Sequence, residues 1–350
     1  MIIPLLALAT VVQTPAAAAA APVTPSSVVA AAKAEEWAAI APADLLVMDL
    51  APDAAGRARR VLIQLMPPPF SQGWVGNIRT LARARWWDGT SVNRVQDNYV
   101  TQWGDATEKK PLPAGLKVMG EDAYVTSDLL AIPDPRGRPR MNYHLGAAMM
   151  RNAMIAANGS VVVPEELKEA LASGKAKPSA LPKPKIGDAY APVASFAHGW
   201  PVAGQTGETG NSFWPVHCYG MVGVGRNTSP DTGTGAELYT VIGHAPRQLD
   251  RNIALVGRVV EGMEHLSALP RGTAELGFYA TAAERTPIRS VRLASELPAA
   301  ERPRLQYLST ESASFAAYVQ ARANRRDAFY IRPAGGVDVC NVPVPIRRTS

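Results

Sequence analysis

The chain has 350 residues, of which 47% are hydrophobic and 19% charged. That balance supports a sizeable core in one large or two ordinary domains and excludes global disorder. The net charge of +6 is spread over Arg57–Arg60, Lys175–Lys185 and Arg322–Arg326 rather than gathered on one element, so we expect a solvated basic surface and no nucleic-acid partner.

Residues 1–32 carry no charged side chain. Ile2 to Val12 form an apolar run too short to span a bilayer, and Ala16–Ala21 offers small residues for A-x-A cleavage. Residues 1–21 therefore read as an export signal that lacks a basic n-region. The expected location is periplasmic or otherwise exported, with no integral membrane segment after cleavage. In an oxidising compartment the two cysteines, Cys218 and Cys340, have two readings: a disulfide, or two separate buried thiols.

Residues 22–44 read as a Pro/Ser linker and one short Ala-rich helix over Val28–Ile40. Leu45–Leu50 is expected as a strand, and Pro52, Asp53 and Gly56 supply turn chemistry. Val61, Ile63 and Leu65 then alternate with Arg60, Leu62 and Gln64 in a second strand, which Pro67–Pro69 ends. Ser71 is a candidate N-cap for an amphipathic helix in which Trp74, Ile78, Leu81 and Ala82 recur at helical spacing. Residues 106–219 form a long middle stretch, with helices expected over Leu145–Ala157 and Pro164–Ser173 and an extended linker over Lys175–Lys185. Ala191–Trp214, rich in Gly and small residues, is expected to be irregular. Beyond Ser295 the readable features are a helix over Ser314–Ala323, a turn at Gly335-Gly336 and a Pro-interrupted run from Val337 to Ile346.

The segment Trp87–Asp105 has the order W-D-G-T-x-x-x-R-V-x-x-x-Y-V-x-Q-x-G-D. It resembles the active-site stretch of the cyclophilin-type peptidyl-prolyl isomerases. Val75–Ile78 resembles that family's helix signature, and Gly220–Gly225 and Thr234–Val241 resemble its middle strands. Leu249–Met263 is similar to its late L-D-G…F-G-x-V-x-x-G-M segment, and Ile288–Leu293 falls where its last strand lies. The resemblance covers roughly 45–105 and 220–293. It implies a mainly β fold, a closed antiparallel barrel capped by helices. The domain would run over 45–293, interrupted by the insertion 106–219 and followed by a C-terminal extension, 294–350.

Isomerising an X–Pro bond requires neither nucleophile nor metal, and no cofactor is implied. The barrier, roughly 18–20 kcal/mol, comes from amide resonance. A catalyst must hold the proline ring and favour the twisted amide, to which a fixed guanidinium can donate without any proton transfer. The resemblance gives that role to Arg94, with Gln102 binding substrate backbone and orienting the guanidinium. It implies a proline pocket lined by Tyr99, Val100, Tyr239 and Leu249, with Glu237 and Leu238 beside it. The implied partners are proline-containing polypeptides.

The departures from the family pattern concern the rim. Val92-Asn93 replace a usual Phe-His, Trp103 stands for a Gly, and Tyr99 and Tyr239 stand for phenylalanines. Gln248 and Ile253 replace a Trp and a His found in some members. Glu237 replaces a common Gln and brings a carboxylate towards Arg94, where pairing would blunt the guanidinium. A second reading therefore follows: a binding module or chaperone on the same fold with little turnover. Zinc spacings, C-x-x-C, a P-loop and a G-x-S-x-G elbow are all absent from the sequence. His217-Cys218 is a poor Cys/His pair, because neighbours on a strand point apart.

Overall fold

The computed structural model of the protein describes residues 23–127, 188, 190–207 and 210–349. The signal-like stretch 1–21 and the two helices and linker expected between Leu145 and Lys185 lie outside the described residues.

A helix α1 (Pro25–Ala31) and strand β1 (Trp37–Ala39) precede the hairpin β2 (Leu45–Leu50) and β3 (Arg59–Leu65). Helix α2 (Gln72–Arg83) leads to β4 (Ser91–Val95) and β5 (Val100–Gly104). Strands β6 (Val193–Ala197), β7 (Trp200–Gly207) and β8 (Gly210–Pro215) follow, then β9 (Met221–Val224), β10 (Leu238–Val241) and β11 (Leu255–Glu261). Helix α3 (Glu264–Ser267), β12 (Thr286–Leu293), β13 (Leu305–Leu308), α4 (Ala313–Ala323) and β14 (Ile346–Arg348) complete the chain.

Eight strands close into an antiparallel barrel in the order β10-β5-β4-β12-β2-β3-β11-β9. Closure removes the exposed edges that an open sheet would present. The β2–β3 turn forms because Asp53 Oδ1 accepts from the backbone N–H groups of Ala55 and Arg57, each at 2.9 Å. Leu46, Met48, Leu50, Val61, Ile63 and Leu65 then face the main core, which α2 covers with Trp74, Ile78 and Leu81. The other face of this hairpin is buried as well. Leu45, Val47 and Leu62 pack with Leu305 and Tyr307, because the sheet β1-β13-β14 lies over them.

Arg258 on β11 is a buried cation with neutral acceptors. It donates to Gln64 Oε1 at 2.9 and 2.7 Å and to the Gly199 carbonyl at 2.6 Å, and lies 4.4 Å over the Trp200 ring. Burial lowers its pKa to about 10, so it stays charged at neutral pH and ties the β6-β7-β8 sheet to the barrel.

Three local expectations are corrected. The N-terminal helix is not Val28–Ile40: Thr24 and Ser27 form a capping box, Pro25 opens the helix, and it stops at Ala31. Trp37–Ala39 pairs instead with β13, where the buried Trp37 joins Phe315 and Leu308, so packing overrides alanine's helix propensity. Ala191–Trp214 is not irregular but holds the sheet β6-β7-β8. Its first turn is the two-residue pair His198-Gly199, both at positive φ, which suits a tight hairpin. Ser71 precedes α2 but adopts a left-handed backbone (φ 54°), and its side chain makes no cap bond. Among the described residues no helix is long and apolar enough to cross a membrane.

Cys218 and Cys340 are joined by a disulfide across 122 residues of sequence, with their Cα atoms 5.0 Å apart. It fastens the segment between β8 and β9 to the tail before β14. On the chain-entropy argument a loop of this length stabilises by ~4–5 kcal/mol at most. Cys340→Ser is expected to lower the denaturant midpoint markedly, whereas the unreduced wild type is expected to be indifferent to alkylating reagents. Two free thiols in the unreduced wild-type protein would contradict the linkage.

Candidate active site

Strand register builds the site. Arg94 on β4 pairs with Gln102 on β5, Gln102 with Tyr239 on β10, and Tyr239 with Gly223 on β9. These residues therefore form one row across four strands. The neighbouring row, Val92, Trp103, Leu238 and Val224, belongs wholly to the main core. The two rows face opposite sides of the barrel wall because side chains alternate along a strand. The β4–β5 register slips by one residue between Val92 and Arg94, leaving Asn93 as the extra residue of a bulge. Such a bulge re-aims the side chain that follows it, here Arg94.

Three acceptors hold the Arg94 guanidinium. Nε donates to the Leu276 carbonyl at 2.8 Å, Nη1 to Gln102 Oε1 at 3.2 Å, and Nη2 to Gln96 Oε1. The rings of Tyr99 and Phe278 lie 5.6 and 5.2 Å from it. Burial lowers the Arg94 pKa, with Tyr99 opposing, yet a guanidinium remains charged at physiological pH. The Arg94 side chain is thus a pre-oriented, half-buried cation that has no carboxylate among these contacts.

Glu237 does not pair with Arg94 in the way its position suggests. Its carboxylate lies behind Gln102, accepting from Gln102 Nε2 at 3.5 Å and from Asn93 Nδ2 at 3.4 Å. The Gln102 amide therefore bridges the two, its oxygen to the cation and its nitrogen to the anion. Glu237 lies against Gly104, where a Cβ would fall within 1.8 Å of its Oε1. Burial pushes the Glu237 carboxyl up, and the donors Asn93, Gln102 and the Asp105 N–H offset this only in part.

Val100, Tyr239 and Val241 form a small cluster outside the main core, with Tyr99 and Ile253 packed against it. Leu249 sits in the adjoining 3₁₀ turn, Arg247–Leu249, and is partly exposed. Leu238 does not join this group: it is 2% exposed and points into the main core, since it occupies the alternate position to Tyr239. Gln248 is exposed beside the turn.

Several participants had no sequence signal of their own. Residues 272–279 return after α3 and dock on β4, with Gly272 N–H on the Val95 carbonyl and Tyr279 N–H on the Asn93 carbonyl. This segment supplies the Leu276 carbonyl and the Phe278 ring. Its turn uses positive φ at Leu276 and Gly277, and it has no hydrophobic periodicity to announce it. His217 and Asp250 stand behind Tyr239: His217 Nε2 is 3.0 Å from the Tyr239 hydroxyl and Nδ1 is 2.9 Å from Asp250 Oδ1. Among the described residues no three His, Cys, Asp or Glu side chains converge as a metal site would need.

Because the folded pKa of Glu237 is raised, its contribution to stability is present at low pH, where the carboxyl is protonated, and is lost as pH rises through the raised value. Glu237→Gln removes that loss. The variant is expected to melt about 2 °C above wild type at pH 7, with the gap closing by about pH 4. A gap that persists at the lower pH would assign the effect to something other than the carboxylate.

A family model for the cyclophilin type peptidyl-prolyl cis-trans isomerase/CLD matches residues 73–294. Among solved structures, the cyclophilin AquaCyp293 from Hirschia baltica is 18% identical, covering 93% of this chain and 97% of its own, with a TM-score of 0.57. That likeness concerns the fold. A cyclophilin type peptidyl-prolyl cis-trans isomerase of Cryptosporidium parvum, crystallised in the presence of the dipeptide Ala-Pro, is 9% identical over 71% of this chain and 98% of its own, and its TM-score of 0.31 is too low to support an argument. No curated protein sequence matches. With the barrel, the Arg94–Gln102–Tyr239 row and a family match over most of its length, the chain belongs to the cyclophilin-type peptidyl-prolyl cis-trans isomerases.

Proposed function

We propose that this chain isomerises X–Pro bonds of exported polypeptides, with Arg94 as the group that stabilises the twisted amide. The observation that supports it is the Arg94–Gln102–Tyr239 row, in which a charged donor and an apolar wall stand side by side on three adjacent strands. Proline would seat against Tyr99, Val100, Tyr239 and Leu249. As the amide twists, resonance is lost and its nitrogen becomes a hydrogen-bond acceptor. A guanidinium already fixed by Leu276, Gln96 and Gln102 reaches that state with little reorganisation, which is how pre-oriented donors lower a barrier. Gln102 would hold the substrate backbone. The exported location rests on residues 1–21 and on a cysteine pair suited to an oxidising compartment; a mature N-terminus near residue 22 is its test.

One observation favours the second reading, a binding module with little turnover. Gln102 Nε2 is turned towards Glu237, so substrate backbone must compete with a carboxylate for that donor.

The deciding experiment is NMR exchange on a short Ala-Pro peptide. Wild type is expected to accelerate cis-trans exchange, and Arg94→Ala to reduce the acceleration at least about tenfold, of the order expected for removing one oriented donor. Arg94→Lys is expected to recover little, because a point charge does not reproduce the planar fork. Binding shifts without faster exchange would establish the binding module, and equal exchange in Arg94→Ala would remove Arg94 from the mechanism.

A further inference from the structure

We propose that His217 is a positioning residue for the proline pocket: it holds the Tyr239 hydroxyl away from the pocket, so that a tyrosine presents an apolar wall. The proposal rests on the isomerase reading above for the location of the pocket.

The row that carries Arg94 and Gln102 ends at Gly223, opposite Tyr239. Gly223 makes room for the hydroxyl, since a Cβ there would lie 2.3 Å from Tyr239 Oη. The tyrosine is 4% exposed, so its hydroxyl must find a partner inside the protein. The partner is His217, which is wholly buried, with its ring nearly parallel to that of Tyr239 at 11°. Nε2 is 3.0 Å from the hydroxyl.

The orientation of the imidazole is set from behind. Asp250 Oδ1 accepts from the His217 backbone N–H at 3.0 Å and lies 2.9 Å from Nδ1. Asp250 Oδ2 accepts from Arg247 Nε at 2.6 Å. Burial pushes the Asp250 carboxyl up, but hydrogen bonds from His217 and Arg247 oppose this and hold it below the ordinary range. An ionised carboxylate only accepts, so Nδ1 carries a proton. The proposal requires the tautomer in which Nε2 is bare, so that the Tyr239 hydroxyl donates to it. With its one proton committed, the tyrosine packs its ring in a cluster with Val100 and Val241, against which Tyr99 lies. None of the three acceptors on Arg94 belongs to this chain of bonds, so the tether acts on binding and not on the guanidinium.

The geometry implies a rescue. Without His217 the hydroxyl has no buried acceptor, and it satisfies itself by drawing water or rotating into the pocket. Phenylalanine makes no such demand. In the full chain, His217→Leu is expected to raise the Kd for an Ala-Pro peptide about tenfold, a difference of about 1.4 kcal/mol. The exchange rate at saturating peptide is expected to stay within about twofold. Tyr239→Phe sets its own reference Kd, and adding His217→Leu to it is expected to change that Kd by less than about twofold.

A merely structural histidine would weaken binding equally in both backgrounds, and that result overturns the proposal, as does an unchanged Kd in folded His217→Leu. Should His217→Leu not fold, the wild-type Tyr239 hydroxyl proton decides. A slowly exchanging NMR signal with a cross-peak to the His217 ring supports the tether, and its absence refutes it. A wild type that binds peptide without accelerating exchange defeats the isomerase reading alone, because the Kd comparison still stands. A wild type that binds no proline peptide overturns both.

Discussion

Barrel closure is the constraint on which the site depends. Each strand of the barrel is paired on both sides, so its register cannot slip without turning a row of core residues outwards. Val92, Trp103, Leu238 and Val224 are the row that enforces this, all buried in the main core. With that row fixed inside, Arg94, Gln102, Tyr239 and Gly223 are fixed on the other side. The bulge at Asn93 is the one local adjustment, and it brings Arg94 opposite Gln102 rather than one step away.

The second determinant is how charge is distributed around Gln102. A cation and a buried carboxylate share one amide, which fixes the amide's orientation: oxygen to Arg94, nitrogen to Glu237. The arrangement leaves Glu237 bonded to Gln102 and Asn93 rather than to Arg94. It also engages the nitrogen that would meet substrate backbone. The same side chain thus orders the Arg94 cation and, on the proposed reading, would set a competition for the ligand that separates a fast isomerase from a binding module.

Much of the barrel could be read from the sequence, because local pattern and tertiary role coincide there. The Asp53 turn and the alternation of Val61, Ile63 and Leu65 define a hairpin, and the spacing of Trp74, Ile78 and Leu81 defines the helix over it. Arg94 and Gln102 were legible through the resemblance of the Trp87–Asp105 motif to the cyclophilin active-site stretch. The remainder depended on contacts distant in sequence. Leu62 reads as outward-facing until β13, some 240 positions later, covers it. Trp37 reads as part of a helix until Leu308 and Phe315 bury it. The 272–279 segment has no period, since its role is to present one carbonyl and one ring to Arg94. Leu238 was assigned to the pocket beside Tyr239, although adjacent strand residues face opposite ways.

The most direct test of the account is a crystal structure of the protein with a bound Ala-Pro peptide. The account predicts the proline ring against Tyr99, Val100 and Tyr239, with the Arg94 guanidinium within hydrogen-bond reach of the prolyl nitrogen or its flanking carbonyl and the Tyr239 hydroxyl still on His217. A peptide seated elsewhere on the barrel, or one held in this pocket with no contact to Arg94, would contradict it.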